Sequence, residues 1–381
     1  MDKINLVGVI SCVAVFVSFL LALFLLTVKT KNKLSNVLFA AFIILSGIDL
    51  SGFFVVYFVE NQLGIETFRE QTSFLIMPFF YLYVLSVCYS DFKLKPKHLL
   101  HILPYIIANL VVMPNVYLTD QAGKELFYSN YIDQPETLFL RVFTDLQFVF
   151  YIVAVFLTLN KFKKIYLENY TDPGNITYRW LFQLTMISVG AHSFVMVKNI
   201  LVYNSLTTIS IWANLLVGVI ALSVLCWFVL KALYHPELFR GVDSKLRLVK
   251  DILPGIDQTS VVKSGEANEM EDKITMLRTF MHKDEPFLEP SLTIQDLANQ
   301  INMPVRELSI LINHHLDLHF FDFVNEYRIK KAMELLRDPA KSNLTILEIL
   351  YHIGFNSKSS FHTAFKKYTD LTPTQYRNNS L

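Results

Sequence analysis

Seven stretches of the chain are each apolar over about the twenty residues that a helix needs to cross the hydrocarbon core of a membrane. They lie near residues 5–28, 35–59, 73–90, 99–118, 138–159, 178–202 and 209–233, and they leave the first two-thirds of the chain little choice of architecture. Charge is correspondingly scarce. Asp, Glu, Lys and Arg make up 18% of the 381 residues, thinly spread before Lys231 and densely after it. Pro104 and Pro114 interrupt the fourth stretch, which a membrane helix tolerates when neighbours satisfy the freed backbone groups. Val9-Ile10-Ser11-Cys12 behind Lys3 has the look of a lipoprotein cleavage box, but the apolar run continues unbroken to Val28 and reads as a first span.

The loops between the stretches alternate in charge. Lys29, Lys31 and Lys33 follow the first, Lys93, Lys95 and Lys97 the third, and Lys161, Lys163 and Lys164 the fifth. The intervening loops carry Glu60, Glu66 and Glu70 against Arg69, and Asp120, Glu125, Asp133 and Glu136 against Lys124. The sixth-to-seventh loop, around Tyr203–Thr208, is uncharged. The positive-inside rule puts the lysine loops in the cytoplasm, so seven spans place the N-terminus outside and everything after Lys231 inside. The three cysteines, Cys12, Cys88 and Cys226, sit in apolar runs and make neither a disulfide framework nor a metal site.

Asp49 lies near the middle of the second stretch and His192 near the middle of the sixth, with Lys198 one and a half turns further along the sixth. A charged side chain at mid-membrane costs about 2.5–3.5 kcal/mol on insertion scales, so such residues usually face the bundle interior. Two readings are open, a small polar ligand or proton site between the second and sixth spans, or a static Asp–Lys or Asp–His pair that fixes packing. The largest outer segment, 115–137, carries Tyr117, Phe127, Tyr128 and Tyr131 and is too small for a separate ligand-binding domain. Its aromatic residues also suit an interfacial belt. The signal is then an intramembrane ligand, a membrane state or another membrane protein.

Residues 234–285 read as a juxtamembrane linker ending in a short helix at 268–282. Met270, Ile274, Leu277 and Met281 form an apolar stripe on that helix, either a homodimer seam or a face packed on the adjacent domain. From Ser291 a pattern begins that occurs twice. Thr293 and Asp296 make a capping box for a helix through Ile301, Asn302-Met303 turns the chain, and a second helix covers 304–316. That helix buries Leu308, Leu311 and Ile312 and turns Arg306, Ser309, Ile310 and Asn313 outward. A long helix, 321–337, stops at Pro339. Thr345 and Glu348 then cap a helix leading to Ile353, Gly354 turns, and a helix over 357–368 buries Phe361 and Phe365. Lys358, Ser359, His362, Thr363 and Lys366 face outward. A last short helix carries Tyr376 and Arg377.

The two helix-turn-helix units, with Leu308-Ser309, Asn325-Glu326-Tyr327-Arg328-Ile329, Ala332 with Leu335-Leu336, Ile353-Gly354-Phe355, Phe361 with Phe365-Lys366-Lys367, and Thr372-Pro373 with Tyr376-Arg377, resemble the DNA-binding domain of the AraC/XylS family of transcription regulators. The resemblance covers 291–379, and the multi-span N-terminus is similar in architecture to the membrane-anchored branch. It implies that each second helix enters a major groove of promoter DNA, with the connecting helix holding the two about one duplex turn apart. Arg306 then suits a guanine edge, Asn313 an adenine edge and Ile310 a thymine methyl, with Ser309, Lys358, Ser359, His362 and Thr363 completing the base-facing set. Lys366, Lys367 and Arg377 suit phosphates. Asp317 and Asp370 stand where the family has glycine after each reading helix, and Leu350 where it has alanine. Asp can take up the left-handed conformation, less easily than Gly. From Glu289 onward ten Lys/Arg balance ten Asp/Glu, which predicts weak nonspecific binding.

The expected protein is all-α: a seven-helix transmembrane bundle over 1–233, a juxtamembrane linker with a dimerisation helix over 234–285, and a cytoplasmic double helix-turn-helix domain over 286–381. It is a multi-pass protein of the bacterial inner membrane, without cofactor or metal. The cytoplasmic third has no glycine-rich phosphate loop, metal spacing or nucleophile–base pattern, which argues against an enzyme. The competing expectation is a seven-span receptor or transporter whose helix-turn-helix domain binds a protein partner.

Overall fold

The computed structural model describes residues 3–28, 33–55, 63–89, 91–171, 175–203, 207–234 and 264–380. Lys29, Lys31, Glu60 and most of the linker, 235–263, lie outside the described residues. Among the described residues the chain is all-helical, and its extended pairing is a single isolated bridge. Two compact units result: Met1–Asn160 with Ile176–Ser244, and Lys161–Asn175 with Lys245–Leu381.

The first unit holds α1 (Lys3–Thr27), α2 (Lys33–Leu50), α3 (Leu63–Gln71), α4 (Ile76–Cys88), α5 (Leu103–Val112), α6 (Gln121–Ser129), most of α7 (Pro135–Asn169), α8 (Asn175–Tyr203) and α9 (Thr207–Tyr234). Among the described residues, six segments are long and apolar enough to cross a membrane: Leu6–Thr27, Lys33–Val55, Leu63–Cys88, Pro96–Tyr117, Pro135–Asn169 and Thr177–Ile200. The seventh expected span corresponds to α9, whose apolar described portion, Trp212–Phe228, is shorter. The fourth passes through a 3-10 helix, α5 and a π turn at Met113–Tyr117, with Pro104 in the first turn of α5 and Pro114 in the π turn, where a missing N–H costs little.

Two boundaries differ from the sequence reading. Glu66, Arg69 and Glu70 belong to α3, which is continuous through a 3-10 turn with α4, and not to a loop. Lys161, Lys163 and Lys164 lie on α7, which runs well past residue 159 because Phe162 and Ile165 are buried. Composition placed the loops where the charges were; packing extended the helices through them.

The unit exposes large apolar side chains and buries polar ones alongside its hydrophobic core. Phe16, Phe150 and Leu157 are more than 60% exposed, whereas Ser11, Ser18, Asn36, Gln71 and Gln147 are buried. Buried amides are partly satisfied between helices: Asn36 Nδ2 donates to the Leu25 carbonyl at 3.2 Å and Gln147 Nε2 to that of Phe74 at 2.8 Å. Aromatic packing supplies the rest. Phe39 stacks on Tyr83 at 4.6 Å, and Trp180 Nε1 donates to the Tyr83 hydroxyl at 2.9 Å.

The second unit holds α10 (Ser264–Lys283), α11 (Ile294–Gln300), α12 (Val305–Ile310), α13 (Phe320–Arg337), α14 (Ile346–His352), α15 (Lys358–Thr369) and α16 (Pro373–Ser380). Two cores divide α13 between them. Its first half packs with α10, α11 and α12 around Leu297, Leu308, Leu311 and Phe320; its second half packs with α14 to α16 around Ile349, Phe361 and Phe365. Leu277 and Met281 of α10 are fully buried in the first core, with Met270 and Ile274 packed against it. Of the two readings of that stripe, the structure shows the packed face.

Candidate nucleic-acid interface

Each helix-turn-helix begins with a reciprocal cap. Thr293 Oγ1 accepts from the Asp296 N–H at 3.2 Å while an Asp296 carboxylate oxygen accepts from the Thr293 N–H at 3.0 Å; Thr345 and Glu348 repeat this at 3.1 and 2.7 Å. The backbone bond to Thr345 holds the Glu348 carboxyl below the usual glutamate range, with the Thr345 hydroxyl adding to it. The turns need left-handed residues. Asn302 (φ 50°) and Gly354 (φ 84°) supply them between the paired helices, and Asp317 (φ 52°) and Asp370 (φ 58°) after each second helix. Both aspartates thus adopt the left-handed conformation, which glycine takes up more easily. Leu350 is fully buried in the second core.

The second helices present the expected residues unequally. Arg306 is exposed, Ile310 is half-buried, and Ser309 is buried at 8% exposure. After Ile310 the helix widens into a π turn, Leu311–His315, closed by the Leu316 N–H on the Leu311 carbonyl at 3.0 Å. Asn313 folds back, its Nδ2 donating to the Ser309 carbonyl at 2.9 Å and to Ser309 Oγ at 3.2 Å. Ser309 and Asn313 are thus engaged with each other. The π turn carries His314 and His315, both exposed and 5.0 Å apart between ring centroids. Burial and the neighbouring His314 lower the affinity of His315 for a proton. Neither histidine was singled out from the sequence, although His314, eight residues after Arg306 and four after Ile310, continues the outward stripe.

On α15, Lys358, Ser359, Thr363 and Lys366 are exposed and His362 is half-buried. Partial desolvation, with Lys358 adding to it, lowers the His362 pKa below the ordinary histidine value. Lys367 is partly diverted to the connecting helix, where its Nζ reaches Asp322 at 2.6 Å while Tyr368 donates to the Asp322 carbonyl at 3.0 Å. Arg377 keeps Nε and Nη2 buried without a hydrogen-bond partner among the described residues. At 1.5 Å per residue, α13, which connects the two helix-turn-helix motifs, is ~27 Å long.

Within the second unit, a strap over residues 286–289 ties the two helix-turn-helix motifs together. Arg328, at 1% exposure, donates from Nε to the Phe287 carbonyl and from Nη2 to that of Glu289, each at 2.7 Å, and its guanidinium lies 5.5 Å from the Phe355 ring centre. Gly354 sits so close that a Cβ there would stand 2.7 Å from the Leu288 carbonyl oxygen and 2.8 Å from that of Phe287.

In the first unit, Asp49 lies in the last turn of α2, and the main-chain carbonyl there accepts from Arg69 Nη1 at 3.1 Å. His192 is not beside it. Its Nε2 meets Asp145 Oδ1 of α7 at 3.0 Å, and its ring stacks on Phe148 with centroids 3.7 Å apart. Lys198 is an electrostatic neighbour of Asp49, without a bond to it. Asp145, inside an apolar helix, carried the same intramembrane signal as Asp49.

Paired capping boxes, left-handed turns and a shared connecting helix define a double helix-turn-helix module. Residues 297–379 match the family model described as a helix-turn-helix domain, and the C-terminus carries this domain in its AraC form. An uncharacterised HTH-type transcriptional regulator of Bacillus subtilis (strain 168) is 30% identical over 121 residues, 32% of this chain and 37% of that protein. The melibiose operon regulatory protein of Escherichia coli (strain K12) is 32% identical over 89 residues, 23% of this chain and 28% of that protein. Similarity thus spans well under half the length of these relatives. Among solved structures, the C-terminal domain of AraT, a response regulator from Geobacillus stearothermophilus, is 30% identical, with a TM-score of 0.24, over 27% of this chain and 84% of that one.

Proposed function

We propose that the protein is a membrane-bound, non-enzymatic one-component regulator that binds promoter DNA sequence-specifically through 286–381 in response to a signal received by 1–233. The observation that carries this is the pairing of two helix-turn-helix units, Arg306 and Lys358 exposed at the start of each second helix, with a bundle whose outer face is apolar. A soluble protein rarely exposes so many large apolar side chains. The lysines that follow the first, third and fifth apolar stretches favour a seven-span arrangement in the bacterial inner membrane, with the N-terminus outside and the DNA-binding domain in the cytoplasm.

In this reading Arg306, Ile310, Lys358, Ser359, His362 and Thr363 face bases, while Lys366 and Arg377 face phosphates. Ser309, Asn313 and Lys367 join only by exchanging an internal bond for one to DNA. The regulator names borne by the relatives support this use of the domain. Residues 161–175 are the suggested signal route, beside the linker. Within the second unit, Thr171 Oγ1 donates to the Leu292 carbonyl at 2.8 Å and Tyr170 bridges to Thr293, the residue that caps α11. Because Leu277 and Met281 fill the core, a homodimer contact through 268–282 would use the opposite side, around the exposed Met276. Asp49, Lys198 and the His192–Asp145 pair are the candidate sensor groups.

Genome-wide DNA crosslinking of the full-length protein in its host, beside an Arg306→Ala/Lys358→Ala control, tests the reading. Discrete peaks lost in the control are expected. Absence of peaks with the protein present in the membrane would refute it in favour of a receptor whose domain binds protein.

A further inference from the structure

A cavity of about 230 Å³ lies within the first unit among α1, α2, α4, α8 and α9, and its lining is apolar except for Ser18, Ser46, Asp49 and Ser188. Each serine has committed its hydroxyl proton to its own helix. Ser18 Oγ donates to the Ala14 carbonyl at 2.8 Å, Ser46 Oγ to that of Phe42 at 2.8 Å and Ser188 Oγ to that of Leu184 at 3.0 Å. What remains for the cavity is acceptor lone pairs. Asp49 can only accept as well when ionised, and its carboxylate makes no hydrogen bond or ion pair with another described residue. The nearby Arg69 is occupied by the main-chain carbonyl of Asp49 and by Glu70, and Lys198 acts only through space.

The polar side chains of the cavity are therefore all acceptors, one of them the exposed carboxylate of Asp49, which has no donor among the described residues and lies against an otherwise apolar lining. We propose that this cavity binds a small amphipathic amine. Its ammonium head meets Asp49 and the serine oxygens, and its apolar body lies among Phe42, Ile43, Val217, Val224 and Phe228. A carboxylate or phosphate head would face acceptors alone, and a plain hydrocarbon would leave Asp49 unpaired. The space is far smaller than a two-chain lipid, so only the amine head of such a lipid could enter. The inference deepens the sensor reading of the first unit and rests on it for the consequence of binding, not for binding itself.

The experiment uses the full-length protein in phosphatidylcholine nanodiscs, titrated calorimetrically with n-octylamine, n-octanol and n-octanoate. Octylamine should bind saturably. Asp49→Asn removes the charge but keeps the carbonyl that Arg69 holds, and should weaken binding at least about tenfold, the loss of one charge-assisted hydrogen bond. Ala221→Leu, which fills the cavity, should abolish binding while leaving the melting temperature near that of the parent. Octanoate binding as tightly as octylamine, or octylamine binding unchanged in either variant, would overturn the proposal. Should Asp49→Asn not fold, Ala221→Leu decides alone. Adding phosphatidylethanolamine identifies the source: competition puts the amine on a lipid, unchanged affinity on a free amphiphile, and both uphold the acceptor-lined site. Saturable amine binding that leaves promoter occupancy unchanged would uphold the site and remove the sensor reading. Absence of amine binding would remove the ligand class and leave the crosslinking test intact.

Discussion

Gly354→Ala is the substitution whose cost follows most directly from the geometry. At φ 84° an alanine is strained by about 1–2 kcal/mol before any contact is considered. Its Cβ would also stand 2.7 and 2.8 Å from two carbonyl oxygens and 3.0 Å from the Leu288 carbonyl carbon, all backbone and none able to swing aside. One of those carbonyls, Phe287, is held by Arg328 Nε at 2.7 Å, so the strap can retreat only by loosening a buried charge-assisted bond. Overpacking of this kind costs about 1–3 kcal/mol. The sum, about 2–5 kcal/mol, should lower the melting temperature of a module this size by ~10–30 °C. Gly190→Ala is the internal control, since a Cβ there meets nothing within 4 Å. Hydrogen exchange of the full-length protein reads the two units separately. Protection should fall over 286–380 in Gly354→Ala and stay unchanged everywhere in Gly190→Ala. Protection at 286–380 within about 1 kcal/mol of the parent would refute the reasoning (a difference that exchange rates resolve easily).

Arg328→Met leaves the Phe287 carbonyl unpaired and should destabilise the module by about 3–5 kcal/mol; combined with Gly354→Ala the losses should be less than additive, because both release the same strap. The depressed pKa of His362 makes a signed prediction. Between its folded value and the ordinary 6.5 the unfolded chain binds the extra proton, so stability is complete above about pH 6.5 and declines as pH falls through the folded value. NMR titration should find His362 titrating below 6.5 and moving up in Lys358→Ala; a value at or above 6.5 in the parent would be the contrary result. Thr171→Val removes the hydroxyl bonded to Leu292 and should change basal promoter occupancy without lowering protein abundance, whereas unaltered occupancy would take 161–175 out of the signal route.

Local rules carried much of this protein. Thr293 with Asp296 and Thr345 with Glu348 were readable as caps because capping involves residues three apart, and Asp317 and Asp370 were readable as left-handed because the helices before them must end. Apolar runs of spanning length announced the helices of the first unit. What the α-helical period left open was the end of the first reading helix, where the chain passes into a π turn, Asn313 donates back to Ser309, and His314 and His315 stand exposed beside it.

The sequence by itself determined that the described chain is helical, where the capped helices of the C-terminal module begin and turn, and that these form a paired helix-turn-helix. Each of these depends on neighbours within a turn or two. Tertiary structure alone decided which distant groups meet: His192 with Asp145 rather than Asp49, Leu277 and Met281 with the module core rather than a partner, Arg328 and Gly354 with the 286–289 strap. The physical reason is that a buried charge or apolar face must find some partner, and composition states that need without naming the partner. Only the packing of helices distant in sequence does that.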